Sequence, residues 1–86
     1  MKYIYELKNE EWINNCWVNG SSKYCSSLKG AKHYLKNVLE VNKATNIEKS
    51  VIYHNEVEAT IYNTLDVDTK ATMKLKVIIR KHQVYV

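Results

Sequence analysis

The middle of the chain, residues 26–42, reads SSLKGAKHYLKNVLEVN and predicts an amphipathic helix. Its apolar residues recur mostly every three or four positions, so a helix with about 3.6 residues per turn carries them on one stripe. Ser26 or Ser27 can cap the first turn, and the pattern ends near Asn42. A single stripe indicates that the helix packs against one other layer of structure. The stripe consists of Leu28, Ala31, Leu35, Val38 and Leu39.

Strand patterns follow the helix. After a polar connection at residues 43–46, residues 51–53 form a short apolar run and residues 57–62 alternate between apolar and polar side chains. Residues 66–69 supply turn-forming side chains. The alternation is clearest in the last strand, which residues 82–86 can extend. Met73, Leu75, Val77 and Ile79 share one face of that strand, and Lys74, Lys76, Ile78 and Arg80 share the other.

Residues 11–18 permit two interpretations. One is a helix capped by Asn9, since the apolar side chains of the segment fit a helical face. The other is a hairpin whose turn is Asn19-Gly20, because both residue types tolerate the positive φ angles of a tight turn. We favour the hairpin, which would join Trp12–Val18 to Ser21–Ser26.

These patterns together predict the α+β class. A first strand is expected at residues 2–8, where Tyr3, Tyr5 and Leu7 fall on one face. The predicted fold is an antiparallel sheet of five or six strands with one helix packed across one face, in the order β-β-β-α-β-β-β. We expect residues 1–86 to form a single domain with one core. A chain this short buries roughly 60% of its extended surface, which favours binding at the surface over catalysis in an enclosed site.

The composition favours an acidic partner. The formal net charge is +4 and the pI is about 9.1, which attracts nucleic acid or acidic protein surfaces. The chain has seven tyrosines, two tryptophans and no phenylalanine, and Tyr and Trp favour half-buried and interface positions. No apolar segment is long enough for a signal peptide or a membrane span. We therefore expect a cytoplasmic protein that binds no membrane.

The sequence offers no motif for a cofactor. Gly20 and Gly30 have no phosphate-binding loop around them. Cys16, Cys25 and His33 lack the close ligand pairs of a structural zinc site, so we predict that the cysteines are half-buried apolar residues. We expect neither a metal nor another cofactor.

Four carboxylates near a predicted hairpin leave one catalytic alternative open. Glu56 and Glu58 share a strand face and can pair across the hairpin with Asp66 or Asp68, which would hold a divalent ion or move protons. We favour the other interpretation, a solvated acidic edge that keeps strands from aggregating.

The predicted binding surface is basic. It combines the outer face of the last strand with the flank of the helix, and cations beside exposed tyrosine rings are typical of surfaces that bind a phosphate backbone. Ile78 stands where a single-stranded nucleic-acid platform would carry a ring, which weighs against RNA. The predicted binding residues are Lys29, Lys32, Lys36, Tyr34, Lys74, Lys76 and Arg80.

The segment Ser26-Ser27-Leu28-Lys29-Gly30-Ala31-Lys32 resembles the S-L-x-x-A-K helix start of small anti-CRISPR proteins, which phages use to inhibit bacterial CRISPR–Cas complexes. The resemblance covers residues 21–62 and extends to size and layout, with one capped helix followed by an antiparallel meander. It implies an inhibitor that occupies a partner surface or nucleic-acid site of a Cas protein, and it assigns no binding residue. The +4 charge departs from the acidic members of that group and excludes simple DNA mimicry.

Four functions follow from these observations. The one we favour is a steric inhibitor, from a phage or mobile element, that binds a host protein or protein–nucleic-acid complex through aromatic anchors. The alternatives are a nucleic-acid-binding module, a small ribonuclease toxin that uses His54, His82 and Arg80, and a homo-oligomer formed through an edge strand. The candidate anchors are Trp12, Trp17, Tyr24, Tyr34, Tyr53, Tyr62 and Tyr85.

Overall fold

Five antiparallel strands and one helix make up residues 2–50 and 56–84, the part of the chain that the computed structural model describes. The strands form one sheet in the order β2-β1-β5-β4-β3. The predicted α+β class, with one helix across an antiparallel sheet, is confirmed. The elements are β1 (Lys2–Ile13), β2 (Cys16–Cys25), α1 (Leu28–Val41), β3 (Thr45–Ser50), β4 (Glu56–Leu65) and β5 (Thr72–Val84).

The first and the last strand lie side by side in the centre of the sheet. They pair along most of their length, from Lys2 opposite Val84 to Glu11 opposite Leu75. Both alternate as predicted, and the alternation places Leu7 beside Ile79 on the face that α1 covers. This face of β1 and β5 forms the sheet side of the core.

The core lies between α1 and this central part of the sheet. The predicted helix stripe is confirmed, since Ala31 and Leu35 are fully buried and Leu28, Val38 and Leu39 pack around them. Ser27 is the N-cap, and its hydroxyl accepts a hydrogen bond from the Gly30 N–H at 3.0 Å. The buried cluster consists of Leu7, Ala31, Leu35, Tyr62, Val77 and Ile79.

The turn between β1 and β2 lies five residues earlier than predicted. Asn14 and Asn15 have φ angles of 51° and 64° and connect Ile13 to Cys16, which pair across the two strands. Positive φ at both central residues is the requirement of the tight hairpin turn that matches strand twist. The helix alternative for residues 11–18 is therefore wrong as well.

The pair Asn19-Gly20 lies inside β2 instead of at its start. The register with β1 shifts here, because Lys8 faces Ser22 whereas Glu10 faces Asn19. A Cβ atom on Gly20 would lie 3.1 Å from the Asn9 carbonyl oxygen, so the glycine permits a close approach of β1 at a bulge. The hairpin signal in the sequence marks an irregularity and not a turn.

An edge strand takes the place of the expected polar connection after the helix. β3 begins at Thr45, and all of its residues are exposed, so it lacks the alternation that reveals a half-buried strand. The structure thus has two strands before the helix and three after it among the described residues, instead of three before it. The run Val51-Ile52-Tyr53 and its closing His54-Asn55 lie outside the described residues.

We expect Asn15→Ala to lower the free energy of unfolding by about 1 kcal/mol, because alanine is strained in the left-handed region that Asn15 adopts. The matched control is Asn19→Ala, which changes the same residue type inside β2 and should cost less than about 0.5 kcal/mol. Denaturant unfolding of the two variants measures both values. A larger loss for Asn19→Ala than for Asn15→Ala would contradict the position of the turn.

Candidate binding surface on the open sheet face

The sheet has one face that α1 does not cover, and we call it the open face. Side chains alternate along a strand, so the residues next to the core positions of β1 and β5 point to this face. The register adds Trp17 and Tyr24 of β2, which lie opposite Trp12 and Glu6. Its central members are Ile4, Glu6, Lys8, Glu10 and Trp12 of β1 and Lys74, Lys76, Ile78, Arg80 and His82 of β5.

Two tryptophans and two lysines meet at the end of the open face nearest the Asn14-Asn15 turn. Trp12 and Trp17 are direct cross-strand partners, and their rings lie edge to face with centroids 5.0 Å apart. The Lys76 ammonium lies 4.3 Å from the centroid of the Trp17 ring. The Lys74 ammonium lies 5.3 Å from the Trp12 centroid and 5.8 Å from that of Trp17. We call these four residues the Trp–Lys cluster.

The cluster is held in place yet open to a partner. Trp12 is 40% exposed and Trp17 is half-buried. Lys76 also lies 3.9 Å from a Glu10 carboxylate oxygen, and both of these side chains are only 11% exposed. Lys76 is therefore fixed between an aromatic ring and a carboxylate, whereas Lys74 is exposed beside it. Such cation–π contacts stabilise an exposed site by about 0.5–1 kcal/mol each.

A second cluster on the open face is centred on Glu6. One carboxylate oxygen accepts a hydrogen bond from the Ser22 hydroxyl at 2.7 Å, and the other lies 2.8 Å from His82 Nε2. Burial raises the pKa of Glu6, but the hydrogen bond from Ser22, the hydrogen bond and charge of His82 and the charge of Arg80 together leave that pKa below its usual value. Ser22 bonds the carboxylate and not the imidazole, which differs from the arrangement that activates a nucleophile.

A short apolar patch separates the two clusters. Ile78 and Ala59 are cross-strand partners on the open face, and both are fully buried. The register places Lys8 opposite Ile78 and Lys76 two residues before it, so the stems of long lysines flank the patch. Ile78 is thus a buried residue between the two clusters. The aromatic rings beside the basic strand come from β1 and β2, and the sequence did not predict that they lie next to β5.

The predicted binding residues fall on two sides of the molecule. Lys74, Lys76 and Arg80 lie on the open face, whereas Lys29, Lys32, Lys36 and Tyr34 belong to α1 on the opposite face. Lys32 and Lys36 line a shallow groove of about 270 Å³ with Lys49 and Glu58. The helix and strand members therefore do not form one continuous surface.

The structure leaves fewer candidate anchors on the open face than the sequence predicted. Tyr62 was expected among them, but it is buried in the core, where burial raises the pKa of its hydroxyl. Tyr34 is half-buried, with the Lys23 ammonium 4.1 Å from its ring centroid. Tyr24 is 60% exposed on the open face. Tyr53 and Tyr85 lie outside the described residues, so Trp12, Trp17 and Tyr24 are the anchors that the open face presents.

The cysteines lie too far apart to share a ligand. Cys16 and Cys25 stand at opposite ends of β2, about 30 Å apart at roughly 3.3 Å per residue. Cys25 is half-buried as predicted, whereas Cys16 is exposed and donates to the Ile13 carbonyl oxygen at 3.2 Å. Within residues 2–50 and 56–84, no three His, Cys, Asp or Glu side chains are grouped so that they could hold a metal ion.

Among the described side chains, Glu58 pairs with Lys49 and not, as the catalytic alternative required, with Asp66 or Asp68. Glu58 lies 3.0 Å from Lys49, near the end of β4 opposite to Asp66. Asp66 accepts hydrogen bonds from the N–H groups of Asp68 and Thr69, which confirms the predicted turn. The side chain of Glu56 lies outside what the structure describes. His54 of the ribonuclease hypothesis also lies outside it.

The edge strands bear on the oligomer hypothesis. β2 and β3 are the two edges of the described sheet. β2 carries a bulge at Gly20 and a lysine at Lys23, and both features hinder pairing with another edge. A homodimer through an edge strand stays a prediction.

Known proteins give no guide to the function of this chain, so the function is inferred from the geometry. No family model matches the chain, and no curated protein and no solved structure is significantly similar to it. Among the described residues, no helix has the length and apolar character needed to cross a membrane.

We expect Glu6→Gln to lower the free energy of unfolding by about 1 kcal/mol at pH 6, because hydrogen bonds to the ionised carboxylate stabilise the fold. The pKa of Glu6 is lowered in the folded state, so this contribution is present above its unfolded value of about 4.5 and is lost as the pH falls through the folded value. The difference between wild type and variant should therefore shrink between pH 6 and pH 3, as measured by denaturant unfolding.

Glu11→Gln, the same change at an exposed position of β1, is the control and should unfold with nearly the wild-type free energy. A Glu6→Gln difference that stays constant down to pH 3 would contradict the stabilising role of the ionised Glu6.

Proposed function

We propose that this chain is a non-catalytic binding protein that acts by covering part of another macromolecule with its open face. The observation that supports the proposal is the Trp–Lys cluster, which presents a 40% exposed tryptophan beside the fixed Lys76 and the exposed Lys74 on a sheet face that α1 leaves uncovered. Tryptophan is among the residues that contribute most to binding when a partner buries it. A partner that covers this ring would bury aromatic area that the monomer leaves exposed.

The open face is large enough for a stable complex. Five strands at about 4.8 Å spacing make the sheet about 24 Å wide, and β5 with its 13 residues is about 40 Å long. The area of the open face is therefore similar to the roughly 800 Å² that each partner buries in a standard interface. A steric mechanism thus needs no further domain from this chain.

The setting that we propose is the cytoplasm of a bacterial host, where the chain would inhibit a CRISPR–Cas complex for a phage or mobile element. The anti-CRISPR resemblance at residues 26–32 supports this setting. A basic protein cannot imitate DNA, so it would attach to an acidic protein surface or to nucleic acid that the complex exposes. The partner would then be unable to reach its target because the sheet occupies the site.

Phage plating on a CRISPR-immune host tests this proposal. We expect expression of the chain to restore plating, and Trp12→Ala to reduce the effect, since loss of a central anchor costs about 2 kcal/mol or roughly 30-fold in affinity. The Lys74→Ala/Lys76→Ala variant should reduce plating too, whereas Lys29→Ala/Lys32→Ala, with the same loss of charge on α1, should keep it.

Two results would contradict the proposal. Absence of rescue by the wild type across several CRISPR system types would reject the inhibitor function. Full rescue by a folded Trp12→Ala protein would reject the open face as the interface.

A further inference from the structure

We infer that the ligand of the Trp–Lys cluster is a single-stranded nucleic acid, bound by base stacking on the tryptophans and by phosphate contacts to the lysines. This inference rests on the proposed use of the open face and adds the chemical class of its partner. It depends on the rings of Trp12 and Trp17 lying within a few ångströms of the Lys74 and Lys76 ammonium groups.

The aromatic half of the cluster fits unpaired bases. Platforms for single strands place aromatic rings on a surface where successive bases stack, and the contact tolerates any base because each has a π-face. Trp12 is 40% exposed and meets Trp17 edge to face, so the exposed part of its ring is open to a base. Bases inside a duplex already stack on one another, so such a surface selects single strands.

The basic half supplies charge where the phosphates would lie. The Lys74 ammonium lies over the Trp12 ring and the Lys76 ammonium over the Trp17 ring. A base that stacks on Trp12 would take the place of the exposed Lys74 side chain and bring its phosphate groups close to that ammonium group. The two acidic residues of the central strands on this face, Glu6 and Glu10, are paired with His82 and Lys76. Lys74 is exposed beside them, so the cluster keeps a positive balance at the rings.

The register also explains why both halves are needed. The lysines come from β5 and the rings from the β1–β2 hairpin, and the bulge at Gly20 and the Asn14-Asn15 turn set which residues of β2 face them. An acidic protein surface would satisfy the lysines, whereas every base of a single strand also offers the tryptophan ring a flat π-face. A nucleic-acid single strand satisfies both groups at once.

Tryptophan fluorescence measures this binding directly, because both tryptophans of the chain belong to the cluster. The full chain is titrated with fifteen-nucleotide thymidine and uridine oligomers, a duplex of the same length, and poly-glutamate as a polyanion without bases. We expect saturable quenching by the single strands, weaker binding of the duplex, and little quenching by poly-glutamate. The affinity should fall with salt, since phosphate binding releases counterions.

Variants separate stacking from charge. Trp12→Ala should lower the affinity about 5- to 150-fold, the range for loss of one stacked base, whereas Trp12→Phe keeps a ring and should recover most of it. Lys74→Ala should reduce the slope of log affinity against log salt by about 0.7 for each phosphate that Lys74 neutralises in the complex. Lys29→Ala, the matched loss of charge on α1, should leave affinity and slope near wild type. Circular dichroism confirms that each variant is folded.

Three outcomes would overturn the inference. They are equal binding of duplex and single strand, equal quenching by poly-glutamate, and a Trp12→Ala affinity equal to that of wild type. The oligonucleotide titration and the phage-plating test can succeed or fail separately. Plating that depends on Trp12 without oligonucleotide binding would reject the nucleic-acid ligand and keep the inhibitor, whereas oligonucleotide binding without any plating effect would keep the ligand and reject the inhibitor.

Discussion

The pairing of the first strand with the last is the contact on which the rest of the structure depends. Leu7 and Ile79 are 72 positions apart in sequence and are neighbours in the core. Closing a loop of that length costs on the order of 4 kcal/mol of chain entropy. Burial of Leu7 and Ile79 contributes about 1.5–3 kcal/mol for each side chain, so this one contact roughly offsets the closure. The other strands then join by short connections, β2 to β1 and β4 to β5.

The open face follows from the amount of helix in the described chain. α1 has 14 residues and is about 21 Å long, whereas β5 with 13 residues is about 40 Å long. One helix can therefore cover only one face of the sheet and only part of its length. The remaining surface is stabilised in another way, because pairs such as Glu6 with His82 and Glu10 with Lys76 satisfy the charges on it. Some of its apolar residues are buried against a cross-strand partner, as Ile78 is against Ala59, and others, such as Trp12, remain exposed.

Elements that have one polar and one apolar side could be predicted from the sequence. Elements without an apolar side could not. α1, β1 and β5 show a periodic pattern because one side of each packs in the core. The pattern identified Leu7, Val77 and Ile79 correctly, but Tyr3 and Met73 on the same faces are exposed. β3 has no buried side and leaves no such signal. The turn was misplaced because Asn14-Asn15 and Asn19-Gly20 both permit positive φ. The pairing of β1 with β2, which places Ile13 opposite Cys16 and Trp12 opposite Trp17, distinguishes the two, and it is a property of the register rather than of either segment.

The four residues of the Trp–Lys cluster were all named from the sequence, but their meeting at one site could not be predicted. Lys74, Lys76 and Arg80 were expected to bind, and the parity of β5 does place them together on one face. The same alternation places them on the face opposite α1. The helix lysines would share a face with them only if the even-numbered residues of β5, instead of the odd-numbered ones, pointed to α1. The rings belong to a different hairpin, and nothing in the spacing of Trp12 and Lys74 along the chain indicates that they meet. A site that is assembled from strands distant in sequence becomes visible only after the register is known, and here the β1–β5 pairing that closes the core also brings lysine to tryptophan.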